Sequence, residues 1–253
     1  MMPVFFISRD QVSPTGEVRI GTPDAWHIAR VLRSRPGEIL TVVADDGSEY
    51  DVRLDRLEAD QVTGMVVASR RNRREPRAQI HLLQALPKGT GMAEVCERTC
   101  ELGVSSVWPL LTKRSIPLPE PATAAARVRR WQAISREAAQ LAGRYRSPMV
   151  HGVKPLLEAL EELQAEAPEI QLFVCHEDER RQGLATVVWA WEKPTGILVG
   201  PEGGFDPEEV QQLAARGARP VSLGPRNLRA GLAGLVATTV LLARSGDLEA
   251  IGG

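Results

Sequence analysis

Two successive strand–turn–helix patterns in the C-terminal part of the sequence limit its fold more than any other stretch. Thr195–Val199 is a short apolar run with β-branched residues that stops at a glycine, as a buried strand does. A turn with three glycines follows, and Asp206–Glu209 then supplies an N-cap, a proline at the first helical position and a capping box. Pro220–Leu223 predicts a second strand, which leads through Gly224–Arg229 into an apolar helix over 230–243. Strands that alternate with helices predict a parallel sheet in an α/β fold.

The middle of the sequence continues this alternation. Gly103 marks the end of one helix, because glycine readily adopts the left-handed conformation of a helix C-terminus. The longest helix has apolar residues at helical spacing, which predict a buried stripe of Trp131, Ile134, Ala138 and Leu141. The predicted elements are the strand Ala78–Leu86, the helix Met92–Leu102, the strand Ser106–Leu111, the helix Thr123–Ala142, the acidic helix Pro155–Ala167 and the strand Ile170–Cys175.

The first part of the sequence is rich in short strands and predicts a small β-barrel with one helix. Asp46-Gly47 is typical of a hairpin turn. Thr22-Pro23 begins the helix, and Trp26, Ala29 and Leu32 are expected to face inward. The predicted strands are Val4–Ile7, Glu17–Ile20, Ile39–Ala44, Glu49–Leu54 and Val62–Ala68.

An arginine-rich stretch closed by proline, Arg70–Arg77, separates the strand-rich part from the alternating part. We therefore predict two domains, covering residues 1–74 and 75–253. The charged linker is either simply solvated or in contact with phosphate groups, and composition does not distinguish these alternatives.

The composition is that of an ordinary folded protein, with 43% hydrophobic and 25% charged residues and a net charge of −1. No run approaches the roughly 20 apolar residues of a membrane-spanning helix. Three cysteines suit a reducing cytosol better than a disulfide framework. Cys96 and Cys100 are predicted to be core thiols, since no further ligands stand at zinc spacing, and no metal site is expected.

Glycine-rich turns after strands allow backbone to approach a ligand closely, which is typical of nucleotide-like cofactors. The sequence contains neither a G-x-G-x-x-G turn nor a G-x-x-x-x-G-K-[ST] loop. From spacing alone the two turns either bind a cofactor or only reverse the chain.

Two motifs favour cofactor binding, because they resemble motifs of a known family. Leu198–Gly204 reads LVGPEGG and Leu223–Arg229 reads LGPRNLR, and the pair resembles the C-terminal motifs of the SPOUT RNA methyltransferases, most closely the RsmE family. The similarity extends over nearly the whole chain. Other segments that resemble the family are Val31-Leu32-Arg33, Pro36-Gly37, Ala85–Gly89, Glu101–Val104 and Gln140–Arg144, the last matching Q-x-x-G-R.

The resemblance implies a fold and an activity. It implies an N-terminal PUA-like β-barrel that binds RNA and a C-terminal SPOUT domain whose parallel sheet contains a deep trefoil knot. It also implies methylation of N3 of a uridine in 16S ribosomal RNA with S-adenosylmethionine as cofactor. The expected partners are 16S rRNA or the assembled 30S subunit, and a second copy of the chain in a homodimer. The expected compartment is the cytoplasm.

The resemblance also implies which residues form the site. The cofactor pocket would consist of three loops, Phe173–Glu177, Gly200–Gly204 and Leu223–Ala230. The cofactor-binding residues are predicted to be Leu198, Gly200, Pro201, Glu202, Gly203, Gly204, Leu223, Gly224, Asn227, Leu228 and Ala230.

Three charged residues are candidates for catalysis. The proton on uridine N3 has a pKa above neutral, so a base, or a positive charge that stabilises the uridine anion, would help. Arg229 is the first candidate for that charge and Arg226 the second. Glu202 either acts as the base or caps a neighbouring backbone N–H group, and capping is favoured.

Several basic residues are candidates for RNA contact, although a basic stripe on a helix or linker is often only solvated. Clustered arginines, rather than the net charge, would have to attract RNA. The predicted RNA-binding residues are Arg33, Arg70, Arg73, Lys88, Arg136 and Arg144.

One segment departs from the family. After the Leu-Arg pair the family usually continues Thr-Glu-Thr-Ala, whereas this chain has Ala230-Gly231-Leu232-Ala233. The loss of polar side chains leaves two alternatives open. The protein could be a catalytically weakened RNA-binding homologue, or a SPOUT methyltransferase that acts on a different rRNA or tRNA base.

Overall fold

The computed structural model describes residues 3–115 and 120–250. Contacts divide the chain into two compact units. The N-terminal unit comprises Met1–Glu75 together with Ala139–Ser147, and the C-terminal unit comprises Pro76–Ala138 and Pro148–Gly253. The N-terminal unit is therefore built from two separate stretches of sequence.

The N-terminal unit contains a five-stranded sheet in the order β1-β3-β4-β5-β2. Strands β1 and β3 are parallel, and the other neighbours are antiparallel. The register of β4 against β5 shifts at Asp51/Val52 and at Leu54/Arg56, and such bulges bend and twist a strand pair. The strands are β1 Phe5–Ile7, β2 Glu17–Gly21, β3 Ile39–Ala44, β4 Ser48–Leu57 and β5 Gln61–Arg71.

The helix of this unit has a different inward face from the one we predicted. Helix α1, Asp24–Trp26, continues as a π-helical turn over His27–Val31. Ala25 and Ile28 are buried in the core of the unit, whereas 54% of Trp26 is exposed. The prediction that Trp26 faces inward is therefore wrong. The pattern of apolar residues predicted where the helix lies in the sequence, but it did not predict which face of the helix is buried.

A buried polar network holds residues 139–147 within the N-terminal unit. The Asn72 side-chain amide donates hydrogen bonds to Glu49 Oε2 at 2.8 Å and to the Gly143 carbonyl at 2.9 Å. Arg144 donates to both carboxylate oxygens of Glu75, at 3.1 Å from Nε and 2.8 Å from Nη2. The Glu49 carboxylate also accepts from Arg74. Because a buried charge without its partner is costly, removing one member of this network should destabilise the unit.

The C-terminal unit is a seven-stranded sheet in the order β12-β10-β11-β6-β7-β8, with β9 also paired to β7. All of these pairs are parallel, which confirms the predicted α/β class. Strand order does not establish how the chain is threaded, so the trefoil knot stays a prediction. The strands are β6 Ile80–Ala85, β7 Ser106–Leu111, β8 Met149–Val150, β9 Lys154–Pro155, β10 Gln171–Cys175, β11 Thr195–Val199 and β12 Arg219–Val221.

Helices cover both faces of this sheet, and two apolar clusters form its core. Residues of β11 alternate between them, with Ile197 and Val199 in the cluster that includes α2 and α6, and Leu198 in the cluster that includes α4 and α5. None of the helices in the described residues combines the length and hydropathy needed to cross a membrane. The helices are α2 Gly91–Leu102, α3 Pro121–Leu141, α4 Leu156–Glu166, α5 Pro207–Ala215 and α6 Ala230–Arg244.

The local signals of α5 and α2 are confirmed in detail. Asp206 caps α5 and Glu209 completes the capping box. Gly103 ends α2 with a positive φ of 114°. In α3, by contrast, Trp131 is buried as predicted but Leu141 is 46% exposed, so the predicted stripe is wrong at its C-terminal end.

Candidate active site

A cavity of about 440 Å³ lies at the carboxyl ends of β10, β11 and β12. In parallel α/β sheets this edge is where ligands usually bind, because the loops that follow the strands diverge there. The cavity lining comes from three loops, 175–180, 199–204 and 222–230, with Ala233 of α6 added. These loops overlap the three that the resemblance implied.

The loop after β11 must be narrow, and two glycines make it so. A Cβ at Gly200 would lie 3.1 Å from the Gly204 carbonyl carbon and from Phe205 N, which is closer than ordinary van der Waals contact. Gly204 has a φ of +68°, and a Cβ there would lie 2.2 Å from Glu177 Oε1. Gly200 therefore permits the close approach of backbone within the loop, and Gly204 permits the close approach of the Glu177 carboxylate.

The loop after β12 presents unused backbone donors beside apolar side chains. Within residues 3–115 and 120–250, the N–H groups of Leu223, Asn227 and Leu228 donate to no other atom. Leu223 and Leu228 pack against the apolar cluster of α2 and α6. Helix α6 begins directly afterwards, with Arg229 at its N-cap. Apolar walls with a few free polar groups are what a small-molecule site requires.

Most of the predicted cofactor-binding residues line the cavity, and two do not. Leu198 is fully buried in the cluster of α4 and α5, since its neighbours Ile197 and Val199 point to the opposite face of the sheet. The Gly203 carbonyl accepts a hydrogen bond from Arg114, and Gly203 is not part of the lining. The predicted residues that do line the cavity are Gly200, Pro201, Glu202, Gly204, Leu223, Gly224, Asn227, Leu228 and Ala230.

The three predicted catalytic residues all line the cavity, but they differ in whether their charged groups have a partner. Arg226 and Arg229 are exposed, and their guanidinium groups have no ion-pair partner among the described residues. Glu202 Oε1 instead accepts a hydrogen bond from the Lys88 backbone N–H at 2.9 Å. The structure therefore shows Glu202 capping a backbone N–H group, the role that the sequence favoured.

Four lining residues lie outside the three loops that the resemblance implied: Arg180, Val199, Ser222 and Ala233. Burial raises the pKa of the Cys175 thiol to about 12, so the thiol is protonated at neutral pH and is a poor nucleophile. Arg180 and Ser222 follow β10 and β12, and Val199 is the last residue of β11. Their position at the carboxyl ends of the strands is the signal that could have identified them. His176 and Glu177, at the end of β10, line the cavity as well.

The predicted RNA-binding residues differ in whether their charge is available. Arg33, Arg73 and Lys88 are exposed, whereas Arg136 is only partly so. Arg70 is engaged by Glu49 and Asp51, and its hydrogen bonds lower the pKa of the Asp51 carboxyl. Arg144 is 2% exposed and forms an ion pair with Glu75. Its guanidinium therefore stabilises the N-terminal unit and is not accessible to a ligand.

Outside the cavity, one further group of potential metal ligands lies close together in the described chain. Ligand atoms of His151, Glu162 and Glu166 lie within 4.8 Å of one another. Lys154 already forms ion pairs with Glu158 and Glu162 there. Its ammonium group supplies the positive charge that a cation would bring. Cys96 and Cys100, as predicted, are buried in the core.

Comparison with known proteins identifies the class. A family model described as an RNA methyltransferase domain matches residues 73–242, and one described as an RNA methyltransferase PUA domain matches residues 20–64. The parallel sheet, the cavity at its carboxyl edge and these two matches define an RNA methyltransferase with a PUA-like N-terminal sheet.

Relatives narrow the class to one family. A ribosomal RNA small subunit methyltransferase E from Mycobacterium bovis is 32% identical over 234 residues, covering 90% of this chain and 87% of the relative. Its namesake from Bacillus subtilis is 26% identical and covers 93% of both chains. The crystal structure of the Neisseria gonorrhoeae protein of that name, bound to S-adenosyl methionine, is 27% identical with a TM-score of 0.85, covering 96% of this chain and 98% of that chain. This chain belongs to the ribosomal RNA small subunit methyltransferase E family.

Proposed function

We propose that this protein uses S-adenosylmethionine to methylate N3 of a uridine in the 16S rRNA of the small ribosomal subunit. The observation that carries the proposal is the cavity at the strand ends. It places two arginines beside backbone N–H groups, and neither the arginines nor these N–H groups have a partner in the part of the chain that the structure describes. The names of the relatives supply the substrate class, and the Neisseria structure bound to S-adenosyl methionine supports the choice of cofactor.

The residues present fit such a cofactor. The cavity volume lies in the range of small-molecule sites, and the glycines at 200 and 204 leave its wall without side chains. Free N–H groups at Leu223, Asn227 and Leu228 can bind adenine or ribose acceptors. When bound, the cofactor would supply an electrophilic methyl group on a sulfonium.

The chain's own residues would position the uridine and stabilise its charge. Arg229 stands first for this role and Arg226 second, because both are unpaired in the described structure and line the cavity. A preorganised positive charge stabilises the anion that N3 becomes on losing its proton. Glu202 is occupied with the Lys88 amide, so we assign it to holding the loop.

The remaining assignments belong to the same proposal. We propose that residues 1–74 form the RNA-binding domain and 75–253 the catalytic domain, with Arg33, Arg73 and Lys88 as exposed contacts for 16S rRNA or the 30S subunit. We also propose a homodimer, and action in the cytoplasm, where ribosomal RNA would be its substrate.

The test is transfer of a labelled methyl group from S-adenosylmethionine to small ribosomal subunits that lack native modification. We expect 3-methyluridine on nucleoside analysis. Arg229→Ala should lower kcat by about 100-fold, the typical effect of removing one charge-stabilising donor. Its affinity for S-adenosylhomocysteine serves as the control for folding of the site.

One observation favours a second candidate function. Ala230, Gly231 and Leu232, at the start of α6, carry no polar side chain where the family has Thr-Glu-Thr. If the protein binds small subunits but transfers no methyl group, it is a non-catalytic RNA-binding homologue. Methylation of a different base would instead assign it another substrate.

A further inference from the structure

An arginine outside the family motifs, Arg180, lies at the rim of the cavity. It follows β10 by five residues, lines the cavity and is exposed. Its guanidinium makes no hydrogen bond or ion pair within residues 3–115 and 120–250. Neither the cofactor pocket nor the catalytic roles proposed above use it.

The turn that carries Arg180 is fixed by its neighbours. Glu179 Oε1 accepts hydrogen bonds from the backbone N–H groups of Arg181 at 2.5 Å and Gln182 at 2.9 Å. These bonds lower the pKa of the Glu179 carboxyl, so they persist at neutral pH. The Gln182 carbonyl accepts from Ser222 N–H at 2.8 Å, which ties the turn to the loop after β12. The backbone at Arg180 is thus held, while its side chain has no polar partner in the described part of the chain.

Arg180, Arg226 and Arg229 therefore all line one cavity, and their guanidinium groups have no ion-pair partner among the described residues. A single cofactor molecule offers one carboxylate, which cannot neutralise all three charges. An RNA strand offers one phosphate for each nucleotide, and arginine binds phosphate through paired N–H groups. The charge at the rim fits an RNA strand that passes over the cavity.

We infer that Arg180 binds a backbone phosphate next to the target nucleotide and so positions the target base over the cavity. This inference rests on the proposed function, since it concerns the same RNA substrate. Arg180 is a positioning residue, and its effect should appear in the use of RNA rather than in cofactor binding.

The experiment compares Arg180→Ala with Arg181→Ala. Arg181 is the matched control, because it is exposed, adjacent and outside the cavity lining, and its backbone bond to Glu179 survives the substitution. We expect Arg180→Ala to lower kcat/KM for small subunits about 10-fold or more, mainly through KM. In this variant, the slope of log affinity for RNA against log salt concentration should fall by about one, which corresponds to one lost phosphate contact. Arg181→Ala should stay within about 2-fold of the wild type, and Arg180→Lys should recover part of the loss.

Cofactor binding separates the two possible oxyanion ligands. We expect Arg180→Ala to bind S-adenosylhomocysteine and methylthioadenosine, which lacks the carboxylate, as the wild type does. Weakened binding of S-adenosylhomocysteine alone would overturn the inference, because Arg180 would then bind the cofactor carboxylate. Equal behaviour of the two alanine variants would overturn it as well. If the wild type transfers no methyl group, the proposed function fails, and filter binding of RNA to the two variants still tests Arg180.

Discussion

At the carboxyl end of β11, a single glycine allows a close contact at the wall of the cavity. Gly204 combines a positive φ with a Cβ direction that points at the Glu177 carboxylate. Gly203, next to it, has no such constraint, and its Cβ would meet only the Arg114 side chain at 3.6 Å. Two adjacent glycines in one motif therefore have different structural roles.

Replacing these glycines should separate the roles. We expect Gly204→Ala to weaken S-adenosylhomocysteine binding by about 10-fold or more, because a left-handed alanine costs roughly 1–2 kcal/mol and its Cβ would displace Glu177. Gly203→Ala should have a much smaller effect. Isothermal titration of both variants is the measurement, and equal losses would show that the cavity wall includes Gly203.

The sequence identified the loops of the site but not the direction of every side chain. The motif LVGPEGG includes Leu198, yet the alternation of β11 sends Leu198 to the opposite face of the sheet. Arg144 stands in a motif that predicts RNA contact, and Glu75, far away in sequence, buries it in an ion pair. Such long-range partners leave no signal in local spacing.

At the scale of elements, two glycines of helix α6 face different neighbours. Gly231 faces helix α2, and Gly234 faces strand β6. A Cβ at Gly231 would meet only Val95 Cγ2, at an ordinary 3.7 Å. A Cβ at Gly234 would lie 2.9 Å from Gln84 Oε1 and 3.2 Å from Leu82 of β6. Within this chain, the close approach of α6 is therefore to its own sheet at Gly234, whereas Gly231 has space.

The same substitution should have opposite effects at these two positions. Gly231→Ala should raise the free energy of unfolding by about 0.5–1 kcal/mol, since alanine favours the helix and meets no obstacle. Gly234→Ala should lower it by about 1–3 kcal/mol, because Gln84 is buried and cannot move away freely. Urea denaturation of both variants measures this difference. Stabilisation by both would contradict the packing described for β6.

Elements with strong local signals were predictable, and short or irregular ones were not. The ends of β7 and β11, and the capping box of α5, follow from apolar runs and capping residues. Strands β8 and β9 have two residues each, and both are defined by their pairing with β7 rather than by a pattern in their own sequence. The π-helical turn after α1 likewise has no periodic pattern of its own.

At the scale of the whole molecule, a half-buried histidine links stability to pH. His81 of β6 hydrogen-bonds through Nδ1 to Ser106 Oγ at 2.7 Å, and the Trp108 indole donates to the same oxygen. Burial, with a smaller contribution from the charge of His151, lowers the pKa of His81 to about 4. Between this value and the usual 6.5 the unfolded chain binds a proton that the folded chain does not.

Stability should therefore rise with pH across this window and be lost as the pH falls from 6.5 towards 4. His81 would contribute at most about 3 kcal/mol to the total change. We expect His81→Gln to flatten the dependence by up to about 1.4 kcal/mol per pH unit. Urea denaturation at pH 5 and pH 7, followed by the fluorescence of the tryptophans, measures it. Parallel curves for the two proteins would rule out His81 as the titrating group.

The discontinuous N-terminal unit has a consequence for the order in which a newly made chain can fold. Glu75 leaves the ribosome long before its partner Arg144, and Asn72 long before the Gly143 carbonyl. At about 5–20 residues per second the delay is roughly 4–14 s. During that interval the Glu75 carboxylate and the Asn72 amide lack these partners, so the N-terminal unit cannot be completed as soon as its own strands have been synthesised. A nascent chain stalled before residue 139 should remain a substrate for chaperones, however native its strands are.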